Sequence, residues 1–266
     1  MSQSEEPVTQ FTTNIWHEEP SPHNPYLAQR CSVRGYDLIE LMKGRSWVDV
    51  WYLLFQGELP TEAQSTLLEH LMIGLIGPGP RHPASRAVMT STATMSEPVH
   101  MLSIGAALLG GEHGGGAEVR KSLKFLLSEA TTPPKDVAER LAATCATPPP
   151  GEDGRIAPGF GALFSSPDTW ALSLLSALVD CPAVGPHLEW ARGFSTAIAS
   201  LGYGPLVSGV AAAAFADLGF GPWPSAVLFQ LIQSPGVLAH GLEYIGKRPN
   251  QLPFVKDEDY TIEDPS

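Results

Sequence analysis

The sequence predicts an all-α fold, on three observations. Apolar residues recur at three- and four-residue spacing in segment after segment, Trp47 to Leu54 and Leu67 to Leu75 among them. Residues that stop and start helices stand between those segments: Gly57 follows the first and Thr61 precedes the second. No period-two alternation persists anywhere, so no half-buried strand is expected. Roughly ten helices follow from the spacing and the punctuation.

Taken in order, residues 1–32 carry several prolines (Pro7, Pro20, Pro22, Pro25) and few apolar side chains. They read as an extended arm with short turns, part of which packs through Phe11, Ile15, Trp16 and Tyr26. Residues 33–145 form the first part of a large helical domain. Ser46 begins a helix that Gly57 closes. Thr61, with Glu62 in the first turn, caps a second, whose stripe is Leu67, Leu68, Leu71, Met72 and Leu75. Gly77-Pro78-Gly79-Pro80 ends it, and Pro83 to Leu109 is a third helical region. Helices from Glu118 to Ala130 and from Pro134 to Cys145 follow, the latter with proline in its first turn.

The densest run of proline and glycine, residues 146–162, marks a boundary, and residues 146–202 are assigned to a smaller helical subdomain. Residues 203–266 complete the large domain and end in an acidic tail. Helices are expected from Pro167 to Val179, Pro186 to Leu201, Val207 to Leu218 and Pro224 to Ile245. The stretch Ser208 to Phe215 is too apolar to face solvent, so it is either a central helix or a helix packed across a subunit interface.

Composition narrows the partners. A net charge of −12 argues against nucleic acid and anionic membrane. Cys31, Cys145 and Cys181 have neither pairing nor metal spacing, which fits a reduced cytoplasmic protein. The polar, acidic first residues do not read as a signal peptide, and no apolar run reaches the roughly 18 residues of a membrane span.

One stretch concentrates the functional signal. Leu108 to Lys124 places Gly110-Gly111, His113 and Gly114-Gly115-Gly116 between two helices. Glycines let backbone approach a ligand, and a helix N-terminus favours a carboxylate or a developing oxyanion. A histidine there can donate a hydrogen bond to a carbonyl.

Five segments in order carry a resemblance to a known family. Val33-Arg34-Gly35-Tyr36-Asp37 resembles the IRGYD segment of citrate synthases, and Tyr52 to Pro60 their YLLxxGELP. His113 to Glu118 is similar to their LHGGANE segment, Pro158-Gly159-Phe160-Gly161 to their PGFGH, and Leu238 to Glu243 to their LAHxxE. By length the chain resembles the shorter citryl-CoA lyase-like members of the citrate synthase superfamily. The resemblance implies an all-α fold with a large helical domain and a smaller helical subdomain. It also implies forming or cleaving a carbon–carbon bond next to an acyl-CoA thioester: citryl-CoA to acetyl-CoA and oxaloacetate, or a related pair. A coenzyme A thioester and a keto acid are then the small-molecule partners, with no permanently bound cofactor and no metal. A homodimer is expected through the apolar helices between residues 83 and 130 and between 204 and 245.

Carried over residue by residue, the resemblance makes His113 the catalytic donor to the thioester oxygen. His82, His240 and Arg248 fall at substrate-binding positions, and Gly159, Phe160 and Gly161, with Arg155 before them, at the coenzyme A site. The family's second catalytic histidine is replaced by Ala162 and its aspartate by Pro205. A catalytically silent homologue that binds an acyl-CoA or a partner protein therefore stays open as the second reading. Glu112 and Glu243 are the acids available as substitutes.

Overall fold

The computed structural model describes residues 12–144, 153–253 and 256–259. The expectations placed on residues 1–11, Cys145, 146–152 and the last residues of the acidic tail lie outside them. Among the described residues are eleven α-helices and two three-stranded sheets, so the helical class holds with a small β addition. The chain divides into two compact units, residues 1–69 and 70–266.

In the first unit, β1 (Trp16–Ser21) and β2 (Asn24–Val33) form an antiparallel hairpin where an irregular arm was expected. Eleven of the sixteen residues of the two strands are exposed and only Val33, at the end of β2, is buried, so the sequence shows no alternation. Pro20 sits at a break in the pairing register, the place a sheet tolerates proline. Arg34 and Gly35, both in the left-handed region, turn the chain into β3 (Tyr36–Asp37). Asp37 then caps α1 (Leu38–Gly44), a helix the spacing did not reveal, and pairs with Arg30 at 2.6 Å. Ser46 and Asp49 form a capping box on α2 (Trp47–Gln56), and Gly57 closes it at φ 89°. Val33, Leu41 and Leu53 make this unit's core. Thr61 caps α3 (Glu62–Gly74), bonded to Gln64.

The expected helical region from Pro83 to Leu109 is two helices, α4 (Pro83–Ala93) and α5 (Met101–Leu109). Met95 adopts φ 63° and Pro98 opens a 3₁₀ turn, which together end the first helix. Then follow α6 (Gly116–Glu129), α7 (Pro134–Ala142), β4 (Gly154–Ala157), β5 (Phe160–Ala162) and α8 (Thr169–Val179). The chain continues through α9 (Pro186–Ile198), β6 (Gly204–Pro205), α10 (Val207–Asp217) and α11 (Pro222–Leu242).

Ser208 to Phe215 are wholly buried within the chain, which decides for the central helix and leaves that stretch no face for a second subunit. Around it, Phe125, Phe160, Trp190 and Phe194 form a cluster, with Phe160 and Phe194 edge to face at 4.9 Å. Asp217, at the end of α10, accepts from the backbone of Gly185, His187 and Leu188 at 2.9–3.0 Å and so anchors the N-terminus of α9. Close backbone approach sets α11. Pro235 interrupts its ladder, and the Gly236 N–H donates instead to the Ile76 carbonyl at 2.9 Å. A Cβ on Gly77 would stand 2.7 Å from Gly236 Cα, so glycine at this crossing is a packing requirement.

Candidate active site at the glycine turn

The turn between α5 and α6 runs from Gly110 to Gly115 and carries His113, whose side chain is exposed. Among the described residues His113 makes no hydrogen bond. The three glycines do different work. Gly114, at φ 70°, has open space where a Cβ would go, so ligand approach is possible only there. A Cβ on Gly115 would lie 2.6 Å from Gly111 N and 2.7 Å from the Leu109 carbonyl, and one on Gly116 would crowd the Ala226 carbonyl of α11. Two of the three thus permit tight packing rather than ligand contact.

Glu118, third residue of α6, is the group that organises the site, and sequence reasoning missed its role. Its carboxylate is buried and accepts from the Gly114 N–H at 2.8 Å, Arg155 Nε at 2.8 Å and Ser208 Oγ at 3.0 Å. One side chain thereby ties the glycine turn to β4 and to the start of α10. The location is favourable for a carboxylate because the first turn of a helix carries unpaired N–H groups. The only sequence signal was an acid two residues after a run of glycines.

Arg155, expected at the coenzyme A phosphates, is engaged with Glu118 and lies 3.8 Å from Asp153. Phe160 is completely buried in the aromatic cluster, so its side chain cannot line a ligand site, and Gly159 and Gly161 on either side of it are buried too, against the expectation that this segment meets coenzyme A. Gly159, at φ 79°, faces Gly209: a Cβ would stand 2.6 Å from Gly209 Cα and collide with the buried Ser122 hydroxyl. Its carbonyl accepts from Leu206 N at 2.9 Å. Gly161 pairs with Arg155 on one side and Gly204 on the other. Ala162 and Pro205, which the sequence resemblance sets at the positions of a second histidine and an aspartate, lie in this same small sheet, and both are buried. The fold therefore brings those positions together while supplying no acid or base from them.

The remaining residues stand on α4 and at the end of α11. His82 caps α4: its Nδ1 accepts the Ala84 N–H at 3.1 Å, which leaves Nε2 carrying the proton as a donor. Burial pushes the His82 imidazole below its ordinary pKa, favouring the same neutral form. His240 meets Glu243 at 3.4 Å, one turn along the same face. Arg248 is exposed, at the head of a 3₁₀ turn over Pro249–Gln251. The Thr92 hydroxyl lies 3.0 Å from the Gly241 carbonyl and 2.9 Å from the Val88 carbonyl of its own helix, and Ala84 and Val88 pack with Val237 in one buried cluster that holds the two helices together. Among the described residues no hydrogen bond joins this group to the glycine turn. Glu112 is held by Lys121 at 2.7 Å, and that hydrogen bond keeps its carboxyl below the ordinary range. No cluster of three metal-ligating side chains occurs among the described residues, and no helix there is long and apolar enough to cross a membrane.

No protein-family model matches the sequence, and no curated protein shows significant similarity to it. Solved structures do. Citryl-CoA lyase from Hydrogenobacter thermophilus superposes with a TM-score of 0.76 at 22% identity over 96% of both chains. ATP citrate lyase from Methanothrix soehngenii, in complex with citrate and coenzyme A, gives 0.71 at 18% identity; the match covers 98% of this chain and 43% of that one. Citrate synthase from Thermoplasma acidophilum, a ternary complex with carboxymethyl coenzyme A and oxaloacetate, gives 0.59 at 18% identity over 83% of this chain and 58% of that one. The chain thus has the citrate synthase fold, in the short form that citryl-CoA lyase also has.

Proposed function

We propose that the protein forms or cleaves a carbon–carbon bond beside a coenzyme A thioester, with citryl-CoA, or acetyl-CoA and oxaloacetate, as the reference substrates. The observation that carries this reading is His113, unpartnered on a turn that Glu118 holds in place, within a fold shared with citryl-CoA lyase. In the cleavage direction a base takes the hydroxyl proton of the citryl group, and the oxygen's electrons form the keto C=O. The bond to the thioester arm breaks onto that arm as an enolate, which then takes up a proton at carbon. His113 donates to the thioester oxygen as negative charge grows there, and His82 Nε2–H donates to the keto acid fragment. Glu243 and Glu112 are the acids to test as base. His240 and Arg248 meet substrate carboxylates. No permanently bound cofactor enters these steps.

The second reading, a silent homologue that binds an acyl-CoA or a partner protein, is supported by Ala162 and Pro205, both buried and neither an acid nor a base, at positions where the sequence resemblance sets a histidine and an aspartate. Steady-state turnover with citryl-CoA, and with acetyl-CoA plus oxaloacetate, separates the two. Thermal-shift titration with acetyl-CoA on the same samples detects binding without turnover; about 100 times the dissociation constant adds roughly 2.7 kcal/mol. Turnover in either direction supports the first reading, and binding alone the second.

We further propose a cytoplasmic homodimer. Trp223, Val227 and Leu231 recur every fourth residue on α11 and are exposed, as are Leu102 and Leu108 on the adjoining α5. Exposed apolar side chains on two packed helices fit burial against a second copy.

A further inference from the structure

The resemblance sets Arg155 against the phosphates of coenzyme A, and the fold gives it another partner. Its Nε donates to Glu118 Oε1 at 2.8 Å, while its Nη1 lies 3.4 Å from the Gly154 carbonyl and 3.8 Å from Asp153. The other Glu118 oxygen accepts from the Gly114 N–H at 2.8 Å and from the Ser208 hydroxyl at 3.0 Å. Gly114 directly follows His113 and stands at φ 70°, with open space where a Cβ would go. Its conformation therefore rests on the bond to Glu118 rather than on packing. His113 makes no hydrogen bond of its own among the described residues, so the direction of its ring is inherited from this turn.

We propose that Arg155 is a positioning residue: it holds the Glu118 carboxylate in the placement that fixes the Gly114 peptide, and through that peptide it aims the His113 imidazole. The inference rests on the reaction proposed above. A guanidinium is a planar, rigid donor, and a charge-assisted bond from it orients the carboxylate it meets. Ser208, buried at the start of α10, fixes the second carboxylate oxygen, so Glu118 is held from both ends. Orientation matters because a donor to a developing oxyanion must stand within hydrogen-bond reach of it, and a displacement of about 1 Å can cost about 10²-fold in rate. Arg155 lies in β4, paired with Gly161 of β5. The small sheet that offers no acid or base at Ala162 and Pro205 thus still acts on the chemistry, through this chain of bonds. With its guanidinium engaged on Glu118, Arg155 is not the residue on which affinity for the thioester depends.

Citryl-CoA cleavage by the full-length wild type, Arg155→Gln and Arg155→Lys, each with and without His113→Ala, tests this. Arg155→Gln should lower kcat by about tenfold or more while KM for citryl-CoA stays within about twofold of wild type. Arg155→Lys keeps the charge without the planar fork and should recover part of the loss. With His113→Ala already present, Arg155→Gln should cost less than about twofold, because no imidazole is left to aim. A phosphate ligand would instead raise KM in both backgrounds, and a purely structural residue would lower kcat equally in both. The His113 ring and Gly114 amide resonances, read by NMR on the same samples, should move in Arg155→Gln and need no turnover to be seen. Wild type without turnover would end the reaction reading, and those resonances then decide the positioning by themselves. The proposal is overturned if Arg155→Gln raises KM rather than lowering kcat, if its cost is the same with and without His113, or if the His113 and Gly114 resonances stay at their wild-type positions.

Discussion

Replacing Glu118 by alanine removes the carboxylate on which the glycine turn, β4 and the start of α10 all depend. The Gly114 N–H and the buried Ser208 hydroxyl lose their acceptor. Each stranded neutral donor costs roughly 1–3 kcal/mol. Arg155 is a quarter exposed and close to Asp153, so its cation can relax toward solvent and adds little. Loss of a negative charge in the first turn of α6 adds about 0.3–1 kcal/mol. The sum is about 2–7 kcal/mol, a range that brackets the cost of breaking a buried ion pair from one side. At about 2–4 °C per kcal/mol for a domain of this size, the melting temperature should fall by at least about 5 °C. Differential scanning calorimetry reads this directly, and Glu118→Gln, which keeps the volume and one acceptor oxygen, should lose about half as much. A Glu118→Ala protein melting within about 2 °C of wild type would refute Glu118 as the organiser of the site.

Three further expectations follow from the geometry. The folded-state pKa of His82 lies below its unfolded value of 6.5, so stability drops as pH falls through 6.5 and levels off below the folded pKa. His82→Asn keeps an N-cap acceptor and should flatten that part of the melting temperature profile; an unchanged profile would place the titration elsewhere. Gly159→Ala combines a left-handed backbone with contact against Gly209, and a loss of about 2–5 kcal/mol is expected from the denaturant midpoint; a loss under about 1 kcal/mol would contradict the close approach. Leu231→Glu should convert the dimer to monomer by light scattering at micromolar concentration, and a wild type that is already monomeric would rule the dimer out.

Helices were legible in the sequence where their signals are local. Ser46 with Asp49, Gly57 and Thr61 end or begin elements through bonds to near neighbours in the chain, and Pro134 begins one through its fixed backbone angle. The β1–β2 hairpin was not legible, because strand alternation records burial of one face and these strands bury only Val33. The sheet of β4, β5 and β6 was missed for another reason. Its strands are only two to four residues long, amid glycine and proline. In the site, the turn carrying His113 could be located from its glycines, but their purpose could not: Gly115 and Gly116 answer to Leu109 and Ala226. Glu118 escaped because its partners Arg155 and Ser208 lie 37 and 90 residues away. Such contacts exist only once the chain has folded.

The most direct test of the proposed reaction is kcat/KM for citryl-CoA cleavage by wild type and His113→Ala, with melting temperatures taken on the same samples. His113 is exposed and unbonded, so the variant should melt within about 1 °C of wild type. Losing a donor to a developing oxyanion costs about 2.7–4 kcal/mol, so kcat/KM should fall by about 10²–10³-fold. Wild-type turnover that His113→Ala leaves intact, or no turnover in either protein, would contradict His113 as the catalytic donor.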